Sequence, residues 1–183
     1  MNIDLLKGYQ STIYERVKRS NDSYRASKAM AVDEIERLLA MYKTQFNERS
    51  MSDLQKLRLI RDAIEHWLRR YHGYVKEGYG AHYLQDGLIE KGVFEHVIPV
   101  REALDMLIQG ILTVEEALNI PTCFISQEND KKLRDMKLVK NTPDAMYFFK
   151  RYENLNADFK TRDGQPIDLR SWTLENHFEC FES

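Results

Sequence analysis

A carboxylate and a histidine stand side by side at Glu95 and His96, at the end of a short apolar stretch. Two further side chains with oxygen atoms, Asn129 and Asp130, follow later in the chain. Carboxylate and amide oxygens are the ligands that a hard cation such as Mg²⁺ prefers. A neutral imidazole can take a proton from an attacking water molecule near neutral pH. These residue types together predict a metal-assisted hydrolytic site suited to cutting a phosphodiester.

Two strands and a helix are predicted to position these residues. Residues 93–98 form a strand that Pro99 stops, because proline cannot donate to a strand ladder. Residues 122–125 are rich in β-formers and give a second strand. Ser126 caps a helix that extends to about Met136, and Glu128 lies in its first turn, where a negative charge is favoured. The sequence therefore predicts a strand, a second strand and a helix, with short helices inserted between the strands.

Pairing of the two strands as a hairpin, with the helix packed across them, would bring the two groups of residues together. We then expect a Glu95 carboxylate oxygen to lie within about 4 to 5 Å of an oxygen of Asp130 or Asn129, as shared coordination of one cation requires. Neighbouring residues on an ideal strand point to opposite faces. Glu95 and His96 can therefore share a site only if a bulge or a strand end turns one of them.

The first half of the chain has apolar residues at helical spacing and no proline. This pattern predicts three helices, over residues 3–19, over residues 27–46 and from Ser52 onward. Glycines crowd from Gly73 to Gly92 and indicate a change to a compact, turn-rich part. We therefore expect a helical region over residues 1–75 and a second region over residues 76–183.

Further short elements are predicted in the second region. They are a helical segment over residues 82–89, a helix over 101–109 closed by Gly110 and a short helix capped at Thr113. An aromatic-faced helix is predicted over 143–152, followed by a turn and a final segment. His66, His72, His82 and His177 have no carboxylate or cysteine neighbour at ligand spacing, so we expect each to be structural or exposed.

Composition limits the class of protein. The chain has 183 residues, 27 basic and 29 acidic side chains, and a net charge of −2, so an overall positive field for nucleic acid is excluded. Two distant cysteines, Cys123 and Cys180, indicate neither a disulfide framework nor a zinc knuckle. No apolar run approaches the length of about 18 residues that a membrane span needs. We expect a cytoplasmic protein that does not enter a membrane.

The segment Glu95-His96-Val97-Ile98-Pro99 resembles the first motif of the HNH, or ββα-metal, nucleases. The helix from Ser126 to Leu133 is similar to the closing helix of that family, and the match covers about residues 95–134. The resemblance implies that His96 is the general base, that Glu95 and either Asp130 or Asn129 hold Mg²⁺, Mn²⁺ or another divalent cation, and that the substrate is DNA, with RNA possible. The fold expected is α+β and mostly helical, with an N-terminal helical half followed by a small two-stranded ββα-metal-like core with inserted helices.

The remaining residues allow two interpretations. Lys131, Lys132 and Arg134 could contact the nucleic-acid backbone of a substrate, although exposed basic residues on a helix need no such explanation. The long amphipathic helices of the first half could bind the substrate, a second copy of the chain or another protein. The alternative to a nuclease is therefore a non-enzymatic helical interaction or regulatory protein, an inhibitor or adaptor, in which Glu95 and His96 are structural.

Overall fold

Two long helices dominate the first half of the protein. The computed structural model describes residues 21–47, 53–78, 80–88, 92–140 and 142–181. Helices α1 (Asn21–Asn47) and α2 (Asp53–Gly78) pack against each other as a helical hairpin. Both were predicted, whereas the helix predicted over residues 3–19 lies outside the described residues. The apolar stripe Ile60, Ile64 and Leu68 of α2 is buried, as its helical spacing predicts.

Short helices follow, and their caps agree with the sequence. Helix α3 (Val100–Gln109) ends at Gly110, whose φ of 76° is the left-handed conformation that glycine adopts without strain. Helix α4 (Val114–Leu118) begins with a capping box between Thr113 and Glu116. Helix α5 (Gln127–Asp135) begins at Ser126, whose side chain accepts a hydrogen bond from the Asn129 amide at 3.2 Å. These three predictions are confirmed.

The sheet in the described residues has four strands, in the order β2-β3-β1-β4. The strands are β1 (Tyr83–Gln85), β2 (Val93–His96), β3 (Thr122–Ile125) and β4 (Phe159–Thr161). β2 and β3 pair antiparallel, as predicted, and β1 pairs parallel with β3 and antiparallel with β4. The chain is thus α+β and mostly helical, which confirms the expected class.

Three details of the prediction were wrong. The core sheet is not two-stranded, because β1 lies between β3 and β4. The segment predicted as helical from residue 82 forms β1, since pairing on both sides outweighs its weak local preference. The aromatic segment predicted as a helix over residues 143–152 is instead a 3-10 helix, Phe148–Leu155. It is followed by β4 and by helix α6 (Leu174–Phe181).

The hairpin and the sheet share one hydrophobic cluster. It includes Ile35 of α1, Ile64 of α2, Leu104 of α3 and Phe148 of the 3-10 helix, all buried. The first half therefore packs on the second through apolar contacts that stabilise both. No described helix is long and apolar enough to cross a bilayer.

A row of hydrogen-bonded polar groups lies beside α6. The Trp172 indole N–H donates to the Tyr83 hydroxyl at 2.8 Å, and the Tyr83 hydroxyl is 2.8 Å from Nδ1 of His177. Nε2 of His177 lies 2.6 Å from the carbonyl oxygen of Asn119, which only accepts, so Nε2 carries the proton. Nδ1 of His177 then accepts from Tyr83. These hydrogen bonds hold His177 as a neutral, structural histidine.

His82 is held in a similar way. Its Nδ1 lies 2.8 Å from the Thr122 hydroxyl and 3.3 Å from the Thr122 amide, while Nε2 lies 3.1 Å from Oδ1 of Asn119. Burial lowers the pKa of His82 well below its ordinary value and lowers the pKa of His177 to about 3. Both histidines are therefore structural, as the sequence analysis allowed.

Candidate functional site

Glu95 lies on β2 and points to the sheet face covered by the 3-10 helix. Its carboxylate forms an ion pair with the guanidinium of Arg151, and only 12% of the Glu95 side chain is exposed. Burial is the largest effect on Glu95 and raises its pKa, while the Arg151 charge opposes that rise. Glu95 is thus half of a largely buried ion pair.

Arg151 joins the 3-10 helix to the end of β2. Its side chain is fully buried, and one Nη donates to the carbonyl oxygens of His96 at 2.7 Å and Val97 at 2.8 Å. The other Nη donates to Glu95. A single guanidinium therefore satisfies a buried carboxylate and two backbone carbonyls where β2 ends.

Charged side chains of α5 act on the carboxylate of Glu95. The negative charge of Asp130 contributes to raising the pKa of Glu95, and Arg134 acts in the opposite direction. Asp130 itself is paired with Arg134 at 2.5 Å, four residues further along α5. The neighbouring Asn129 donates from its side-chain amide to Gln85 at 2.9 Å. The structure thus brings Asp130 into the electrostatic environment of Glu95, while Asn129 is held by β1.

His96 lies on the other face of the sheet. The ladder is regular, with Glu95 opposite Cys123 and His96 opposite Thr122, and no bulge interrupts it. Consecutive strand residues point to opposite faces. The ring of His96 accordingly contacts His72 of α2, with Nε2 of His96 3.1 Å from Nδ1 of His72 and ring centroids 4.9 Å apart.

The hydrogen bond from His72 to a backbone carbonyl determines which nitrogen carries the proton in the rings of both His72 and His96. Nε2 of His72 lies 3.2 Å from the carbonyl oxygen of Ala117, which can only accept, so this nitrogen carries the proton. In a neutral ring Nδ1 of His72 is then an acceptor, and Nε2 of His96 must donate to it. His96 therefore keeps only Nδ1 unprotonated.

Burial makes His96 a weak base. Burial, followed by the nearby His72, lowers the pKa of His96 to about 2, and burial lowers the pKa of His72 to about 4. A general base works best when its pKa lies near the operating pH. His96 is neutral at pH 7, but its affinity for a proton is far below that optimum.

Two buried polar atoms near Glu95 have no hydrogen-bond partner within the described part of the chain. They are Nε of Arg151 and the hydroxyl of Tyr152, both on the 3-10 helix. Burial raises the pKa of Tyr152, and the charges of Glu95 and Asp130 contribute to that rise. An unsatisfied buried polar group costs about 1–3 kcal/mol, so the pair holds unused hydrogen-bonding capacity beside the carboxylates.

The donor set does not match a divalent-cation site in this arrangement. Glu95 is bound by Arg151 and Asp130 by Arg134, so a guanidinium holds each carboxylate that the ion would need. Among the described residues no group of three or more His, Cys, Asp or Glu side chains is placed to hold a metal ion. The imidazole of His96 lies on the opposite face from both carboxylates.

The three basic residues predicted to contact nucleic acid lie on α5 and are exposed. Lys132 pairs with Glu128 at 2.8 Å, and Arg134 pairs with Asp130. Lys131 precedes Lys132 on the same helix. Two of the three positive charges are thus offset by carboxylates one turn away on the same helix.

Arg151 and His72 were missed as members of this region. Arg151 interrupts an aromatic run at a position where a helical face would be apolar, and a charged residue in such a run indicates a buried ion pair. His72 follows Leu68 by four residues and so continues the buried stripe of α2. These signals were present, but neither identifies the partner across the fold.

Comparisons of the chain with models of protein families, with curated proteins and with solved structures find no match.

Removing one partner of the Glu95 and Arg151 pair should destabilise the protein more than removing both. We expect Glu95→Gln or Arg151→Met alone to lower the free energy of unfolding by about 3–5 kcal/mol, because each leaves a buried charge uncompensated. The double variant should lose less than the sum of the two. Urea unfolding measures all three.

Arg61 and Asp105 provide the matched control. Their ion pair of 2.6 Å is only partly buried, and we expect Arg61→Met to cost no more than about 1 kcal/mol. Strict additivity of Glu95→Gln and Arg151→Met would contradict the assigned pair.

Acid should unfold the protein through its buried histidines. The folded pKa values of His72, His177 and His96 are about 4, 3 and 2, and that of His82 is also lowered, against 6.5 for a histidine exposed to water. The unfolded chain therefore binds protons that the folded chain does not, and stability is greatest above pH 6.5. Below it, each histidine lowers the free energy of unfolding by about 1.4 kcal/mol per pH unit.

Four such histidines remove roughly 6–7 kcal/mol between pH 6.5 and about 5, which is comparable to the whole stability of a typical domain. Urea unfolding between these pH values should show an uptake of three to four protons, roughly one for each buried ring. The exposed His66 supplies the control, since His66→Gln should leave the profile unchanged. An uptake of one proton or fewer would refute the assignment.

Proposed function

We propose that this protein is a non-enzymatic interaction or regulatory protein in which Glu95 and His96 are structural. One observation carries the proposal: the unbroken pairing of β2 with β3 sends Glu95 and His96 to opposite faces of the sheet. Glu95 is bound by Arg151, and His96 is bound by His72. A hydrolytic site needs its base and its charge-stabilising groups around one reacting atom.

The residues around Glu95 have a structural role in this account. Arg151 ties the 3-10 helix to the end of β2 through two carbonyls and one carboxylate. On the other face, the two histidines connect β2 to α2, and His72 extends the connection to α4 through Ala117. The two sets of contacts fix the sheet between the hairpin and the 3-10 helix.

In this account the helical hairpin carries the interaction surface. Its outer surface exposes large apolar side chains, including Leu59 at 68% and Met41 at 43%. Apolar residues exposed together on a protein surface are typical of interaction sites. We infer that α1 and α2 contact a partner, while the sheet and the short helices form the supporting scaffold.

The second candidate is a metal-dependent nuclease acting on DNA or RNA. It is favoured by the order of β2, β3 and α5 along the chain and by the closeness of Asp130 to Glu95. In this proposal Mg²⁺ or Mn²⁺ would have to displace Arg151 and Arg134 from the two carboxylates. Desolvation of those carboxylates and loss of two ion pairs oppose that exchange.

Plasmid nicking separates the two proposals. We expect the purified protein to leave supercoiled DNA intact in Mg²⁺ or Mn²⁺, and the variants His96→Ala, Glu95→Gln and Asp130→Asn to behave in the same way. The reason is that the base is held by His72 and the carboxylates are held by guanidinium groups. Gel electrophoresis of the plasmid measures the result, and a folded RNA serves as a second substrate.

Glu128→Gln is the control, since Glu128 is an exposed carboxylate on the same helix. Cleavage that a chelator abolishes and that is lost in Glu95→Gln and Asp130→Asn, but kept in Glu128→Gln, would reject the non-enzymatic proposal and establish the nuclease.

A further inference from the structure

Asn119 joins two buried histidines to helix α6. Its backbone carbonyl oxygen lies 2.6 Å from Nε2 of His177, and its side-chain Oδ1 lies 3.1 Å from Nε2 of His82. Its side-chain amide donates to the carbonyl oxygen of Phe181, the last residue of α6, at 3.0 Å. The three contacts use three different atoms of Asn119. One residue therefore holds both imidazole rings and the end of α6.

The second nitrogen of each ring already accepts a hydrogen bond. The Thr122 backbone N–H donates to Nδ1 of His82 at 3.3 Å, and the Thr122 hydroxyl lies 2.8 Å from the same nitrogen. On His177, Nδ1 accepts from the Tyr83 hydroxyl at 2.8 Å. A second proton on either ring must go to Nδ1. On His82 that proton would face a backbone N–H that cannot rotate, and on His177 it would displace the hydroxyl hydrogen of Tyr83. The closed arrangement therefore fits only neutral imidazoles.

The groups around the two rings also oppose a positive charge. The ring centroids of His82 and His177 are 4.8 Å apart, so a charge on one ring opposes a charge on the other. Burial lowers the pKa of both rings, the charge of Arg162, which follows β4, lowers both further, and His72 of α2 also lowers that of His82. Tyr83 of β1 supplies no compensating negative charge, because burial raises its pKa well above the ordinary value. The remaining titratable groups of α6 are exposed: Glu175, Glu179 and Cys180.

We propose that α6 detaches from the sheet in acid, with uptake of one proton on His82 and one on His177, while the hairpin and the sheet stay packed. Helix α6 has eight residues and buries Leu174, His177 and Phe181, so it can open locally at lower cost than the whole protein unfolds. Detachment uncovers the rings of Tyr83 and His82, which Phe181 and His177 contact in the closed state. This acid-responsive helix does not depend on the proposed interaction function.

The linkage between proton binding and opening gives the direction and size of the effect. A histidine exposed to water has a pKa of about 6.5, whereas burial lowers the pKa of His177 to about 3 and that of His82 well below its ordinary value. The closed state is therefore most favoured above pH 6.5 and is weakened as the pH falls towards the folded pKa values. Between pH 6 and pH 5 each ring raises the ratio of detached to closed α6 roughly eightfold, and the two rings together raise it roughly 60-fold.

Hydrogen exchange of the backbone amides measures this opening in the full chain. Mass spectrometry of peptic peptides gives the opening ratio of α6 at pH 6 and pH 5, after correction for the intrinsic exchange rates. We expect the ratio to rise roughly 60-fold. At pH 6 we also expect the α6 amides to be more than roughly tenfold less protected than those of α2 around Ile64, because that part of α2 lies in the hydrophobic cluster and opens with the whole protein.

Two variants assign the protons to the rings. His82→Gln and His177→Gln each remove one titrating ring, so each should reduce the rise to roughly eightfold. His66→Gln is the control, since His66 is exposed on α2 and its loss should leave the rise at roughly 60-fold. Circular dichroism at pH 7 checks that each variant is folded. The rise in the unaltered protein needs no variant, so it tests the proposal even if a glutamine variant does not fold.

Two results would overturn the proposal. The first is a rise below about 20-fold in the unaltered protein, because the two rings would then not be protonated together when α6 detaches. The second is protection of α6 within about tenfold of that of α2 at pH 6, because α6 would then open only when the whole protein unfolds. Neither result bears on plasmid cleavage, so failure of this proposal and failure of the non-enzymatic proposal are distinguishable.

Discussion

The side chains of a β-strand point alternately to its two faces, and in β2 this alternation determines the arrangement of the protein's central region. β2 pairs with β3 in a regular antiparallel register, so Glu95 and His96 must point to opposite faces. On one face the carboxylate requires a cation, because an unpaired buried charge is costly, and Arg151 supplies it. On the other face the imidazole packs against α2 and is held by His72. A bulge at either residue would bring the two side chains together, but the ladder contains none.

Arg151 binds several buried acceptors with one side chain. It is fully buried, yet it binds the carboxylate of Glu95 and the carbonyl oxygens of His96 and Val97. His96 is the last residue of β2, and beyond it the chain turns into α3. The guanidinium satisfies both carbonyls and attaches the 3-10 helix to the sheet. A buried ion pair is not by itself evidence of high stability, but this one fixes which surfaces of the sheet and the 3-10 helix meet.

Local patterns in the sequence predicted the elements better than the contacts between them. The capping residues Thr113 and Ser126 and the terminal Gly110 identify helix ends, because they act within one turn of the backbone. β1 was mistaken for a helix because three residues carry little periodicity, and only pairing with β3 and β4 makes them a strand.

The same contrast between local patterns and long-range contacts applies to the candidate site. The sequence correctly indicated that β2 and β3 pair antiparallel, and the charge of Asp130 on α5 acts on the pKa of Glu95. It could not reveal that Arg151 would neutralise Glu95, since the two are 56 residues apart. Nor could it place His72 beside His96, because that contact depends on how the helical hairpin packs on the sheet. Long-range packing, rather than residue type, decides whether these groups are catalytic or structural.

The protonation state of His96 tests this account most directly. Long-range ¹H–¹⁵N NMR spectra of the histidine rings should show His96 and His72 neutral from pH 8 down to about 5, both with the proton on Nε2, since each Nε2 donates to a neighbouring acceptor. A ring of His96 that titrates with a pKa near the ordinary value of about 6.5, or that carries its proton on Nδ1, would contradict the account. Such a histidine would be accessible and basic enough to serve as a catalytic base.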